Sequence, residues 1–213
     1  MNYKIFSITL LLSALLVTTT GCSTKHHKAK EKKAPTSLLP QDAELRPGDV
    51  VFRRGEGLTS QVVLVADREG EYSHTGIVVD SCGTLLIVHA VPGEPDFEGD
   101  PDRVKADLPA HFFSSQLASL GEVCRPADSA IAARAAQVAW NAYQRHTLFD
   151  HNYDDADTTR FYCTELVAFA FKQAGVDLTE GRGHHINLPT MQQDCLFPSD
   201  IYESDFLKSI AHF

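Results

Sequence analysis

The strongest constraint in this 213-residue chain is a pair of Val- and Ile-rich runs, Ser73 to Asp80 and Thr84 to Val91, separated by Ser81-Cys82-Gly83. Such runs around a short polar break predict an antiparallel hairpin. Two strands alone are marginal in water, so the rest of the chain must cover and extend them. With Asp80 to Gly83 as a four-residue loop, Val79 pairs with Thr84 and His74 falls directly opposite His89. Directly opposed residues share a face with Cβ atoms about 5 Å apart. A register slip of one residue would separate the two imidazoles. Spacing alone leaves two readings. One is a catalytic base held in its tautomer by a second polar group; the other is two half-buried histidines, each satisfied locally.

Around the hairpin, Leu45-Arg46-Pro47-Gly48-Asp49 reads as a turn into a strand, Val50 to Arg53. Leu58 to Asp67 predicts a short helix with Thr59 or Ser60 as cap. Pro92 to Pro101 is a long loop, and Gly121 to Arg125 a further strand. Ser129 to Arg145 predicts an Ala-rich helix capped by Asp128 or Ser129. Thr164 to Gln173 predicts another, stopped by Gly175, with Leu166, Phe169, Ala170 and Gln173 along one face. The tail from Leu188 carries no clear assignment. Strands clustered between helices imply an α+β fold with an antiparallel sheet, in one domain from Gln41 to Phe213.

Cys163, in Phe161-Tyr162-Cys163-Thr164-Glu165, stands in the first turn of the last of these helices. Unpaired N–H groups and the positive dipole end there favour a thiolate. The same donors suit a developing oxyanion. A buried structural cysteine is the alternative. Glu165 is a loop anchor or a contact for a substrate amine, and Tyr162 is a candidate substrate contact. His184 and His185 sit in a Gly-rich, loop-like segment and read as surface or rim residues; with Cys195 they make a weak metal set. Asp150, Asp154, Asp155 and Asp157 have a calcium-loop look, but the Gly and terminal Glu of that pattern are missing, leaving a solvated acidic loop.

The segments LRPGDVVFRRG, YSHTGIVVD, LLIVHAV and FYCTELVAFAF resemble the permuted papain-fold family of bacterial YiiX/YebB-like proteins. That family lies within the NlpC-type amidase superfamily, together with lecithin retinol acyltransferase. The likeness runs from about Leu45 to Gly175, with His ahead of Cys. It implies a circularly permuted papain-like α+β fold, a central antiparallel sheet or small barrel packed against the helix bearing the nucleophile. It further implies Cys163 as nucleophile, His74 as base and His89 as the orienting residue, where close relatives often carry Glu. A thioester acyl-enzyme mechanism follows, with no cofactor and no metal. The implied substrate is a cell-wall peptide amide. A lipid amide or ester, hydrolysed or transferred, is the alternative, and a non-catalytic binding module on the same fold is the second.

The N-terminus adds a location. Lys4, the apolar run Ile5 to Val17 and Gly21-Cys22 resemble a bacterial lipoprotein signal spanning 1–21, with Cys22 as the lipidated first mature residue. The run is too short for a permanent span, which needs about 20 apolar residues. A Lys-rich tether covers 22–40. From Gln41 onward 13 basic residues face 27 acidic ones, a charge of −14. That balance gives no footprint for nucleic acid. The expected setting is the cell envelope, with the domain lipid-anchored and facing the periplasm.

Overall fold

The computed structural model describes residues 35–213 apart from 69, 155, 156, 189 and 190. The signal segment, Cys22, most of the tether and Asp155 lie outside the described residues. Backbone pairing begins before Gln41: Thr36 O accepts from Ser115 N at 2.8 Å, and Leu38 N donates to Phe113 O at 2.8 Å.

The elements run β1 (Val50–Arg54), α1 (Leu58–Ala66), β2 (His74–Ser81), β3 (Thr84–Val91), β4 (Arg103–Asp107), α2 (Pro109–Phe112), β5 (Leu120–Pro126), α3 (Ser129–Gln144), β6 (Leu148–Phe149), β7 (Arg160–Phe161), α4 (Cys163–Ala174), β8 (His184–Leu188), β9 (Met191–Cys195), α5 (Pro198–Tyr202) and β10 (Leu207–His212). Among the described residues eight strands form one sheet, ordered β10-β5-β1-β2-β3-β4-β6-β7. Its neighbours are antiparallel except β6 and β7. β8 and β9 make a separate hairpin, so His184 and His185 lie on a strand rather than in the loop their composition suggested.

Alternation along the strands gives the sheet two apolar faces. Val50, Phe52, Ile77, Val79 and Val88 meet α3 and α4 on one side. Val51, Val78, Ile87 and Val123 meet Phe112, Phe113 and the N-terminal Leu39 and Leu45 on the other. The buried stripe of α3 is all alanine, Ala132, Ala135, Ala136, Ala139 and Ala142. Gly48 presses against it at φ +90°, where an added Cβ would stand 2.4 Å from Ala132 O. Asp128 caps α3 through the N–H groups of Ala130 and Ile131. α1 lacks the expected Thr or Ser cap: its N-cap is Gly57, with no side-chain bond. The buried face of α4 is Leu166, Val167, Ala170, Phe171 and Ala174; Gln173 is exposed. Gly175 ends the helix at φ 102°.

The hairpin register differs from the expected one by two residues. Ser81 pairs with Thr84 and Ile77 with Val88, because the loop is only Cys82-Gly83. Both take positive φ, 54° and 85°, the geometry of a two-residue turn matched to strand twist. His74 is therefore diagonal to His89 rather than opposite it. A shift of two preserves facing, so both rings still point to one side. Continuing the register brings Gly76 across from His89, where a Cβ would stand 3.1 Å from His89 Cβ and 2.8 Å from Ile87 Cγ2.

Candidate active site

The bare position at Gly76 lets the imidazoles meet across the diagonal. His74 Nε2 and His89 Nδ1 lie 2.8 Å apart, with the rings nearly perpendicular. His89 Nε2 reaches Asp107 Oδ2 at 3.0 Å. Phe112 packs against both rings. His89 is fully buried, and His74 and Asp107 nearly so.

One proton arrangement satisfies this chain. Hydrogen bonding from His89 holds the Asp107 carboxyl far below the usual range against the opposing effect of burial, so it is ionised and only accepts. His89 Nε2–H then donates to Asp107, and His89 Nδ1 accepts from His74 Nε2–H. His74 Nδ1 is left with its lone pair. Burial, the Arg53 charge and His89 push the His74 pKa well down. Burial also lowers that of His89, against the pull of Asp107. Both rings are neutral near pH 7.

Cys163 opens α4, its N-cap Tyr162 extended at φ −94°. The thiol shares a pocket of about 320 Å³ with His74, Arg53, Glu94 and Tyr162. One wall is α1, through Thr59, Ser60 and Val63; another is the loop after β3, through Pro92 and Gly93. Contrary to the helix-start expectation taken alone, the Cys163 pKa is raised. Burial outweighs hydrogen bonds from Thr164 and from the backbone of Thr75 and Cys163 itself. The resting pair is thus a thiol beside a neutral imidazole, and the thiolate needs the base.

Of the other expected residues, Tyr162 lines the pocket and its hydroxyl accepts from Leu196 N at 3.0 Å. Glu165 is buried and accepts from Tyr162 N at 3.2 Å, tying down the helix start rather than lining the pocket. His184 and His185 are exposed and pair with Asp200 and Asp194. Asp150 is buried, not solvated, and organises its turn by accepting from Asn152 N and Asp154 N. Cys82, Cys124 and Cys163 are free thiols.

Two charged residues in the site were not read from the sequence. Asp107 sits on β4, a strand too short and polar to stand out. Arg53 is 3% exposed at the end of β1, paired in register with His74.

The α+β architecture, with its large central sheet and a helix that begins at a cysteine, is a YiiX-like papain-type fold. Among solved structures, a crystal structure of the metalloprotein YiiX from Escherichia coli O157:H7 superimposes with a TM-score of 0.65 at 17% identity, over 80% of this chain and 99% of that one. No protein-family profile matches the sequence, and no curated protein sequence does. That YiiX neighbour is a metalloprotein. Among the described residues no group of three or more His, Cys, Asp or Glu is placed to hold an ion. In the site itself, both nitrogens of His89 and one of His74 are engaged within the hydrogen-bonded chain. The described residues of the site do not fit a resident metal.

Proposed function

We propose that the domain is a cysteine hydrolase that cleaves an amide bond through a thioester acyl-enzyme, acting on cell-wall peptides. The carrying observation is the buried His74–His89–Asp107 chain, whose His74 lines the same pocket as a thiol at a helix N-terminus. Three groups with separate duties are what a nucleophile, a base and its orienter require.

In the mechanism, the Cys163 S–H proton passes to His74 Nδ1 while sulfur attacks the carbonyl carbon. Backbone N–H groups at the start of α4 receive the oxyanion. The tetrahedral adduct collapses as His74 returns the proton to the leaving amine. Water, deprotonated by His74, then attacks the thioester and releases the acid and the thiol. His89 and Asp107 keep His74 in the tautomer that accepts at Nδ1. Glu56 and Glu94 at the pocket suit a substrate with a free amine. In this reading the protein works at the cell envelope, tethered through a lipid on Cys22.

A lipid amide is the second reading, favoured by the outer side of α1, where Leu58, Val62 and Val65 are 88%, 68% and 78% exposed beside the pocket wall. Digestion of purified peptidoglycan and of an N-acyl amide panel, each with native protein and Cys163→Ala, separates the two. Release of new amines from peptidoglycan by native protein alone is expected. Turnover of neither set, together with a thiol-directed acyl probe that labels His74→Ala as fast as native protein, would overturn the hydrolase reading.

A further inference from the structure

The mechanism above leaves one buried charge without a duty. Arg53 is held in the pocket by three contacts: Nη1 donates to Phe112 O at 3.0 Å, Nη2 to Glu94, and the guanidinium lies 4.6 Å over the Phe112 ring. Its Nε is buried with no partner, and so is Glu94 Oε2. Burying a cation this thoroughly is costly unless the surroundings use it. Ordinary structural pairing would leave neither atom unsatisfied. Glu94 belongs to the rim loop, clamped by Lys105, which donates to Glu94 O at 3.0 Å and Asp96 Oδ1 at 2.6 Å.

We propose that Arg53 stabilises the negative charge that Cys163 acquires, and that Glu94 sets how much of the Arg53 charge reaches the sulfur. The inference rests on the hydrolase reading and deepens it. When the thiol proton moves to His74, the sulfur becomes an anion in the pocket that Arg53 also lines, where a fixed cation lowers its energy. Arg53 is suited because guanidinium stays charged even when buried. It also disfavours protonation of His74, so the same charge keeps the base ready. The charged and titratable groups around Cys163 are Arg53 from β1, Glu56 from the turn after it, His74 from β2, Glu94 from the rim loop, Tyr153 from the loop before β7, and Tyr162 and Glu165 from the start of α4. Among these, Arg53 is the permanent cation.

The test is the pH dependence of Cys163 alkylation by iodoacetamide, followed on that cysteine by peptide mass in the full chain. Arg53→Met is expected to raise the apparent thiol pKa by about one unit, a tenfold loss of thiolate near neutrality. Arg53→Lys is expected to fall between Met and native. Glu94→Gln is expected to move the pKa the other way, downward, because it frees the guanidinium. Shifts of one sign in Arg53→Met and Glu94→Gln, or no shift in either, overturn the proposal; loosened packing alone gives no such opposition. Should Arg53→Met melt before the assay temperature, the downward shift in Glu94→Gln carries the test. Because alkylation needs no substrate, opposed shifts without amide turnover would retain Arg53's role and reject the hydrolase.

Discussion

Asp107→Asn probes the relay behind the base with little change of shape. The carboxylate accepts from His89 Nε2 at 3.0 Å and faces Lys105 Nζ at 3.4 Å and His111 Nδ1 at 3.1 Å. A hydrogen bond to a charged group contributes about 1.5–3 kcal/mol and one between neutral groups about 0.5–1.5. Losing the charge thus removes about 1–1.5 kcal/mol from the preference for the productive tautomer, roughly a tenfold loss of reactive base. An amide has a second option. Turned so that its NH₂ faces His89, it reverses the chain, and His74 Nδ1 then carries the proton. A carboxylate-to-amide change behind a catalytic His in a serine protease costs about 10⁴-fold by that route. The expected fall in Cys163 acylation lies between about tenfold and 10⁴-fold. Stopped-flow acylation with an activated ester, read by intact mass, measures it, with thermal melting as a check on the fold. A rate within about twofold of native, with an unchanged pH profile, would refute the relay.

Further outcomes follow from the same geometry. The His74 and His89 pKa values are lowered in the folded state, so the unfolded chain binds more protons below about pH 6.5. Stability is then fully present above about pH 6.5 and is lost as pH falls below it, so urea midpoints should drop from pH 7 to 5, less steeply in His89→Gln. Gly76→Ala drives a methyl into Ile87 and His89 and should cost about 1–3 kcal/mol in urea unfolding while slowing acylation. Asp128→Ala removes the α3 cap, an expected loss of about 1 kcal/mol in the same measurement with acylation unchanged. Separately from the geometry, on the proposed lipid anchor Cys22→Ala is expected to move the protein from the membrane fraction to the soluble one on cell fractionation.

The hairpin shows what a sequence carries and what it withholds. Val and Ile runs specify two strands, and their alternation specifies that His74 and His89 face one way. The register depends on whether Cys82 accepts a left-handed backbone, an uncommon state for a residue with a Cβ, and the four-residue loop avoided it. Parity survived that error, so the histidine pair was legible while its geometry was not. β4 was hidden for another reason. Arg103, Lys105 and Asp107 make it look solvent-facing, yet Lys105 and Asp107 are buried because the rim loop and His89 supply their partners. Those partners are distant in sequence, and no local pattern encodes them. Arg53 escaped notice likewise: after Phe52 it reads as the outward residue of an alternating strand, whereas Phe112 and Glu94, both distant in sequence, cover that face and bury it. The thiol is the opposite case, since a helix start is a local property. Its protonation state is not local, because burial outweighs the nearby donors.

The strand order also gives the molecule a timetable for assembly. β10 closes on β5, joining His212 to Glu122 across 90 residues and to Tyr72 across 140. Pairings of such separation form slowly, since the long loops between them must close first. Cys163 reaches its pocket only when α4 docks on strands laid down far earlier in the chain. A chain that is still extended, as during passage through a narrow channel, keeps the sulfur apart from every group that activates it. In the proposed reading, the base and its orienters meet the sulfur only once the native state has formed.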